Sequence, residues 1–532
     1  MAGNSPRPRP VPVAGRPADA YGPRCRRFAR TFQPMSRYLL GIDAGSSVTK
    51  AALYTRDGSE VASARQRIAL DRPRPGWCET DPEAAWSAMC SAARGLIAQS
   101  GVDAGEIAAV GLSAAMVGAW LADAEGRAQR PGIIWEDSRT QRMLDTRLAA
   151  DPLFYRRIFL SDGCVMQQGC TLPLLAWLKE NEPETLARAV HCFSYKDFLR
   201  LRLTGHAAAD RTEAAVAPGD ARRRDRSDEM LALFELEGLR SKLPPVADSE
   251  SVAGSVTARA ARETGLAAGT PVAIGAGDVP ATIVGASARE AGAALVVLGT
   301  TCIVGVVADR PVFEPADLGL LFTLPGNCWF RSMVNVAGTL NLDWAVATIL
   351  GAASPDGAFY ARLEEMVSAV PVGSDGVTFL PYLSDSGIIA PVVDPQARAG
   401  FHGLTPRHGR AEMLRAVYEG VVLAIRDLAG SLPDMRGDIL ITGGGARSGI
   451  WPQMVADALG RTVAVPAGGE LGARGAAMIA ATAIGWFPDI GTASSATRSI
   501  DRRHEPNASR RAEWDAAFDR YRFVRHQLVR PR

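Results

Sequence analysis

The chain has 532 residues, a length that predicts two or more domains. Hydrophobic residues make up 47% and charged residues 22%, ordinary globular values that exclude global disorder. The formal net charge of +2, from 59 basic and 57 acidic side chains, gives no electrostatic case for a nucleic-acid partner.

Residues 1–34 are rich in Pro and Arg and lack periodicity. They predict a disordered extension, or a chain start that belongs at Met35. The segment is Arg-rich and acid-poor, as transit peptides are, and has no apolar core of a secretory signal. Tyr38 to Ile42 then reads as a buried strand, Asp43 to Ser47 as a turn, and Val48 to Tyr54 as a returning strand. Asp57-Gly58 is a hairpin turn leading to Glu60 onward. Asp81-Pro82 supplies a cap and first-turn proline for a helix from Glu83 to Gln99. Ile107 to Ser113 is a strand, with another pairing around Ala119 to Ala122.

A similar pattern restarts near residue 272, with a strand at Val272 to Gly275. Residues 291–308 are uncharged and about long enough to span a bilayer. However, Gly299-Thr300-Thr301 interrupts them between β-branched runs. Two buried strands, Ala294 to Leu298 and Ile303 to Val307, around a tight turn are the expectation. Ile439 to Thr442 is a further strand, followed by Gly443-Gly444-Gly445, a helix at Trp451 to Leu459, and a small-residue helix at Gly472 to Ala483. The chain therefore reads as two α/β halves with a boundary near residue 288, each opening with a hairpin whose turn carries small hydroxyl residues.

The eight cysteines (Cys25, Cys78, Cys90, Cys164, Cys170, Cys192, Cys302 and Cys328) form no CxxC pair, so reduced, buried thiols of a cytosolic enzyme are expected. No Ser–His–Asp set or histidine metal spacing is evident. Neither GxGxxG nor a P-loop occurs, which argues against dinucleotide enzymes and P-loop kinases.

Four constellations can carry chemistry. Asp43-Ala44-Gly45-Ser46-Ser47 at a strand–turn–strand corner presents hydroxyls and N–H groups that can cradle a phosphate, while Asp43 can hold a hydrated Mg²⁺; an ordinary hairpin turn is the alternative. Gly299-Thr300-Thr301 is the matching turn of the second half, with the same alternative. Gly443-Gly444-Gly445-Ala446-Arg447-Ser448 lets backbone approach a flat ligand, or is a βα turn needing positive φ. Gly275-Ala276-Gly277-Asp278 ends a buried strand, where α/β folds place ligands. Its carboxylate can accept the proton of an attacking hydroxyl, or cap the following helix.

These pieces, in this order, resemble the FGGY carbohydrate kinases, a branch of the actin–hexokinase–Hsp70 superfamily. The resemblance runs from about residue 37 to 490. It includes GIDAGSSVTKAALY, PGWCETDPEAAW at 75–86, RPGIIWEDSRT at 130–140, LTG at 203–205, GAGD at 275–278 and LGTT at 298–301. FLPYL at 379–383, GFHGLTPRHGRAEMLRAVYEG at 400–420, GGGARSGIWPQMVADALGRTVAVP at 443–466 and ELGARGAAM at 470–478 complete it. It implies two actin-like (ribonuclease H-like) α/β domains with a nucleotide cleft between them. Residues 35–288 would carry the sugar site, first phosphate loop and base, and residues 289–532 the ATP site.

Residue by residue, the resemblance implies that Asp43 binds Mg²⁺ through water. Ser46, Ser47 and Lys50 line the first phosphate loop, and Thr300 and Thr301 the second. Gly444, Gly445, Ser448 and Gln453 border the adenosine, and Asp278 is the base. Trp77, Met116, Trp135 and Asp137 lie near the substrate, although Trp135 could equally be core and Asp137 could pair with Arg139. The activity implied is transfer of phosphate from ATP to a small sugar or polyol in the cytoplasm, with no membrane partner and with a homodimer as a family-level expectation. Domain closure around both ligands, with the sugar bound first, is also expected. A non-catalytic sugar- or ATP-binding regulator on the same fold is the alternative; the PGW loop and WEDSR segment favour a polyol acceptor over the water or peptide of an actin- or Hsp70-like ATPase.

The chain departs from its relatives in places. What resembles the SGQMHG segment of xylulokinases is Ser113-Ala114-Ala115-Met116-Val117-Gly118, so the Gln and His positions are Ala115 and Val117. Losing hydrogen-bonding groups there disfavours D-xylulose. The usual GER after FLPYL is replaced by Ser384-Asp385-Ser386-Gly387. LPLLAWLKENEPE at 172–184 resembles the L-xylulose kinase branch, and ELGARGAAM resembles erythritol-type kinases.

Overall fold

The computed structural model describes residues 37–352, 356–384 and 387–529. The predicted extension at 1–34, and Asp385 and Ser386 of the replaced segment, lie outside these residues.

Two mixed sheets organise the chain. The first contains β1 (Tyr38–Ala44), β2 (Val48–Thr55), β3 (Glu60–Arg67), β4 (Ile107–Ala114), β5 (Val252–Ser255), β6 (Pro271–Ala273) and the short β7 (Ala276–Gly277). Its order is β5-β6-β4-β1-β2-β3, with β7 also pairing on β4. The second contains β8 (Ala293–Leu298), β9 (Cys302–Ala308), β10 (Leu320–Leu324), β11 (Cys328–Asn335), β12 (Arg436–Thr442), β13 (Val463–Pro466) and β14 (Ile500–His504). Its order is β10-β11-β9-β8-β12-β13-β14.

The two sheets share one plan. In each, a three-strand antiparallel meander (β1-β2-β3; β8-β9-β11) is extended from its first strand by two parallel strands (β4, β6; β12, β13) and then by an antiparallel one. The strand at 271–273 closes the first sheet, and the second begins at Ala293, so the pattern restarts later than the sequence suggested. The uncharged segment at 291–308 is the β8–β9 hairpin. Among the described residues no helix is long and apolar enough to cross a membrane. Trp120–Ala122 pairs with His191–Phe193 outside both main sheets.

The helices that position the site are α1 (Pro82–Ser100), α2 (Arg211–Val216), α3 (Asp278–Gly285), α4 (Gly357–Ser368), α5 (Arg410–Ala429), α6 (Trp451–Leu459) and α7 (Leu471–Ala483). Asp81 caps α1 by accepting from Glu83 N at 3.0 Å, with Pro82 in the first turn and Gly101 in the left-handed region at its end.

Alternation in β1 sends Leu40, Ile42 and Ala44 to the face covered by α1. The other face, with Leu39 and Tyr54, is covered by α7. Although α7 follows the second sheet's β13 in sequence, it packs on the first. Its small residues permit an unusually close approach. A Cβ on Gly41 would overlap the Ala473 carbonyl, one on Gly111 the Ala476 carbonyl, and one on Gly475 the Ala281 carbonyl of α3. The chain returns through Ile500 to the second sheet, and Ala467 N donates to Ser499 O at 2.9 Å where the outgoing and returning segments meet.

Candidate active site

The close approach of α7 builds the first half of the site. Asp43 stands at the end of β1, in register with Lys50 on β2 and Ser113 on β4. Ser113 Oγ donates to Asp43 Oδ1 at 2.8 Å. Gly472, in the first turn of α7, lies so close that a Cβ would sit 2.6 Å from Asp43 Oδ2. Burial raises the Asp43 pKa, opposed by the Lys50 charge and the Ser113 hydrogen bond. Lys50 Nζ lies 3.2 Å from Glu470 Oε2, and Arg65 pairs with the other oxygen of that carboxylate. In the turn, Gly45 N donates to Val48 O at 3.1 Å, Ser47 is exposed, and Ser46 Oγ accepts from Trp135 Nε1 at 3.0 Å. Trp135 is 43% exposed and so is not core; it joins the expected sugar side to the expected phosphate turn.

Asp278 reaches this corner through β7. Ala276 and Gly277 pair with Ser113 and Ala114, which places Asp278 beside the end of β4, one strand from Asp43. Gly275, at φ +81°, makes the jog from β6 to β7. The N-cap position of α3 is Gly277, and Asp278 stands in the first turn with its Oδ1 accepting from Val279 N at 2.8 Å. A helix cap therefore does not account for this carboxylate. Burial first, and then the Asp43 charge, push it up to about 7.

Among the residues expected near the acceptor, Met116 is buried and lies on Gly277, where a Cβ would fall 2.5 Å from its Sδ. Trp77 is half-buried, with the Arg139 guanidinium 3.7 Å and the Arg74 guanidinium 4.8 Å from its ring centre. Asp137 is 1% exposed and fully engaged. It accepts from Cys78 N at 2.7 Å, Arg139 N and Nε at 2.9 Å, and Arg139 Nη2 at 2.8 Å. Arg139 also donates to Glu79 Oε1 at 2.6 Å. The ion-pair arrangement is the one observed for Asp137, and its side chain reaches Trp77 through Arg139.

In the second half, Gly299 N donates to Thr301 O at 2.9 Å, and the turn is clasped by Gly338 N to Thr300 O (2.6 Å) and Thr339 N to Gly299 O (2.7 Å). Thr300 is exposed and Thr301 half-buried. Gly443, at φ +92°, brings the end of β12 against Leu298 O; Gly445 is buried on the Leu298 side chain, and Gly444 is exposed with open space where a Cβ would be. Thus Gly444 and Thr300 present open backbone and hydroxyl, as a nucleotide site needs. Ser448 and Gln453 are already engaged. Ser448 Oγ accepts from Trp451 N at 3.0 Å, at the start of α6, and donates to Glu364 Oε1 at 2.6 Å. Gln453 Nε2 donates to Asp457 Oδ1 and Glu505 O, both at 2.8 Å.

Sequence reasoning missed several residues that shape the site. Glu364 of α4, Gly338, Thr212 and Glu213 belong to no recognisable spacing. Ser113, two residues before the substituted Ala115, and Glu470, the first residue of ELGARGAAM, stood in motifs but were not singled out.

The described residues include no group of three or more acidic, His or Cys side chains arranged for a metal. The donor set still fits Mg²⁺, which keeps several waters and takes one or two carboxylates plus phosphate oxygens. Burial raises both the Asp43 and Asp278 carboxyls, and the Asp43 charge further raises Asp278; a divalent cation would relieve this cost of ionisation.

Comparison with known proteins bears on the family and the fold. Residues 38–285 match the N-terminal domain, and residues 294–484 the C-terminal domain, of the FGGY family of carbohydrate kinases. The chain is 33% identical to a xylulose kinase of Escherichia coli, covering 92% of this chain and 99% of that one. It is 32% identical to an erythritol kinase of Brucella abortus, covering 92% and 96%. The crystal structure of a xyloylose kinase from Brucella ovis superposes with a TM-score of 0.82 at 32% identity, covering 92% and 99%. With an actin-like two-domain fold and family matches over both halves, the chain belongs to the FGGY family of carbohydrate kinases and is a phosphotransferase that moves phosphate from ATP to a sugar or polyol.

Proposed function

We propose that the acceptor is a ketopentose such as L-xylulose or a tetritol such as erythritol, and that Asp278 takes the proton of its reacting hydroxyl. The observation that carries this reading is the Asp278 carboxylate itself. It sits at the end of a buried strand, beside Asp43, makes one side-chain hydrogen bond, and has its pKa pushed up to about 7. A base with a pKa near the working pH combines ionisation with proton affinity.

In this reading the acceptor lies between Trp77, Trp135 and Met116, with its hydroxyl at Asp278. Arg139, held by Asp137 and Glu79, fixes the Trp77 ring. Ser46, Ser47, Thr300 and Thr301 hold the transferred phosphate in line, and Lys50 adds positive charge. Gly444 and Gly445 face the adenosine, with Ser448 and Gln453 shaping that wall from behind. Asp43 would hold Mg²⁺ through water, supplying charge neutralisation to the phosphates. Closing the site around both ligands excludes water, which competes as acceptor. The seven described cysteines are all free, which supports a reducing, cytoplasmic setting; a homodimer is the assembly that goes with the family resemblance.

Ala115 and Val117 support the choice of acceptor, because neither offers a hydrogen bond to a sugar hydroxyl. The test is a panel of tetritols, pentitols and ketopentoses in a coupled ADP-release assay. L-Xylulose or erythritol should turn over with a higher kcat/KM than D-xylulose; preference for D-xylulose would refute the assignment. Ala115→Gln together with Val117→His should shift selectivity toward D-xylulose in the same assay.

A pH dependence follows from Asp278. Its carboxylate must be ionised to act, so kcat/KM for the acceptor should decline as pH falls through about 7. Cation binding at Asp43 moves this limb to lower pH, never higher, because positive charge favours the carboxylate. An acid limb clearly above pH 7 would contradict the assignment.

A further inference from the structure

Behind the base and the Met116 turn lies a buried cluster that phosphoryl transfer itself does not use. Asp210 caps α2, accepting from Thr212 N at 2.8 Å and Glu213 N at 3.1 Å, and lies 3.2 Å from Lys196 Nζ. Lys196 also pairs with Asp197, which pairs with Arg200 at 2.8 Å. Arg200 Nη1 donates to Ile274 O at 2.8 Å, immediately before the Gly275 jog. All of these side chains are buried. A charged cluster of this kind is costly to bury and is poor evidence for stability alone.

Two consecutive residues of α2 turn that cluster toward the site. Thr212 Oγ1 accepts from Gly277 N at 2.9 Å, fixing the residue before Asp278. Glu213 Oε2 accepts from Val117 N at 3.0 Å. Val117 is β-branched yet held at φ +55°, a conformation costly for such a side chain and found where surrounding structure imposes it. That turn is what lays Met116 on Gly277.

We infer that Thr212 and Glu213 are positioning residues for the acceptor site: Thr212 sets the base, and Glu213 holds the strained Val117 turn so that Met116 forms the wall beside it. The inference rests on the reading of Asp278 as the base. Burial and the neighbouring Asp210 and Asp197 charges, against Lys196, hold the Glu213 carboxyl well above its usual range. Its Oε1 is buried without a partner among the described residues, and Glu213 lines a cavity of about 40 Å³ with Ser194, Asp197 and Arg226. That is room for a water to complete its hydrogen bonding.

Glu213→Gln is nearly isosteric and keeps an acceptor oxygen for Val117 N. It should retain acceptor KM within about twofold, whereas Glu213→Ala should raise acceptor KM about tenfold through the lost hydrogen bond. KM for ATP should stay unchanged in both. The probes are L-xylulose and erythritol, with hydrogen exchange of the Val117 amide read independently of turnover. Exchange should speed up in Glu213→Ala and not in Glu213→Gln. If Glu213→Ala does not fold, Glu213→Asp withdraws the oxygen by one methylene and should show the same rise in KM and in exchange. Unchanged exchange and KM in the Ala or Asp variant would overturn the inference, as would a Gln variant that falls as far as Ala. Asp278→Asn separates the two readings: transfer that survives in it sinks the base and leaves the exchange result standing.

Discussion

Asp278→Asn should lower kcat for acceptor phosphorylation by roughly 10³-fold and leave ATP affinity close to that of the parent enzyme. Asparagine preserves the size of the side chain and its hydrogen bond from Val279 N, but it cannot take a proton. Among the described residues the carboxylate makes no other side-chain bond that its removal would break. The same substitution should raise thermal stability at alkaline pH. Burial holds the Asp278 pKa above its ordinary value in the folded state, so the folded chain binds this proton more tightly. Its contribution is therefore most favourable at low pH and is lost as pH rises through about 7. At pH 8 the Asn variant should melt higher than the parent, and the difference should vanish near pH 4. Near-normal turnover in this variant would remove Asp278 from the mechanism. A lower melting temperature at pH 8 would show that the ionised carboxylate is structurally compensated.

Gly41→Val should destabilise the protein by at least about 3 kcal/mol, and transfer should be lost along with the fold. The Cβ would enter the space of the Ala473 carbonyl, a backbone atom that no side-chain rotation can move. Relief requires α7 to lift from β1. Lifting α7 also carries Gly472 away from Asp43 and Glu470 away from Lys50, so the defect reaches the phosphate side of the site. Thermal and urea denaturation check this directly. A shift no larger than that of an exposed substitution with open space around it, such as Gly95→Val, would show that the helix is not seated as described.

The elements closest to their predicted bounds are those whose signals are local. The helix at 451–459 ends where the sequence placed it, and the caps of α1 are the predicted Asp81 and Pro82. The β1–β2 and β8–β9 hairpins were legible because hydrophobic runs flank turns of Gly, Ser and Thr. Periodicity carries no information about partners. The pairing at Trp120–Ala122 with His191–Phe193, and the membership of Pro271–Ala273 in the first sheet, depend on register between distant segments.

The sequence by itself determined the family, the two hairpin turns, the candidate base and the small-residue character of the last core helix. These follow from residue types in short windows, where backbone freedom, capping and alternation act locally. Only the tertiary structure decided that this helix crosses back to the first sheet, that β7 sets Asp278 beside Asp43, that Asp137 is spent on Arg139, and that Glu213 braces Val117. Each of those depends on which distant atoms exclude water from one another, and burial and charge pairing across long separations leave no periodic trace in the chain.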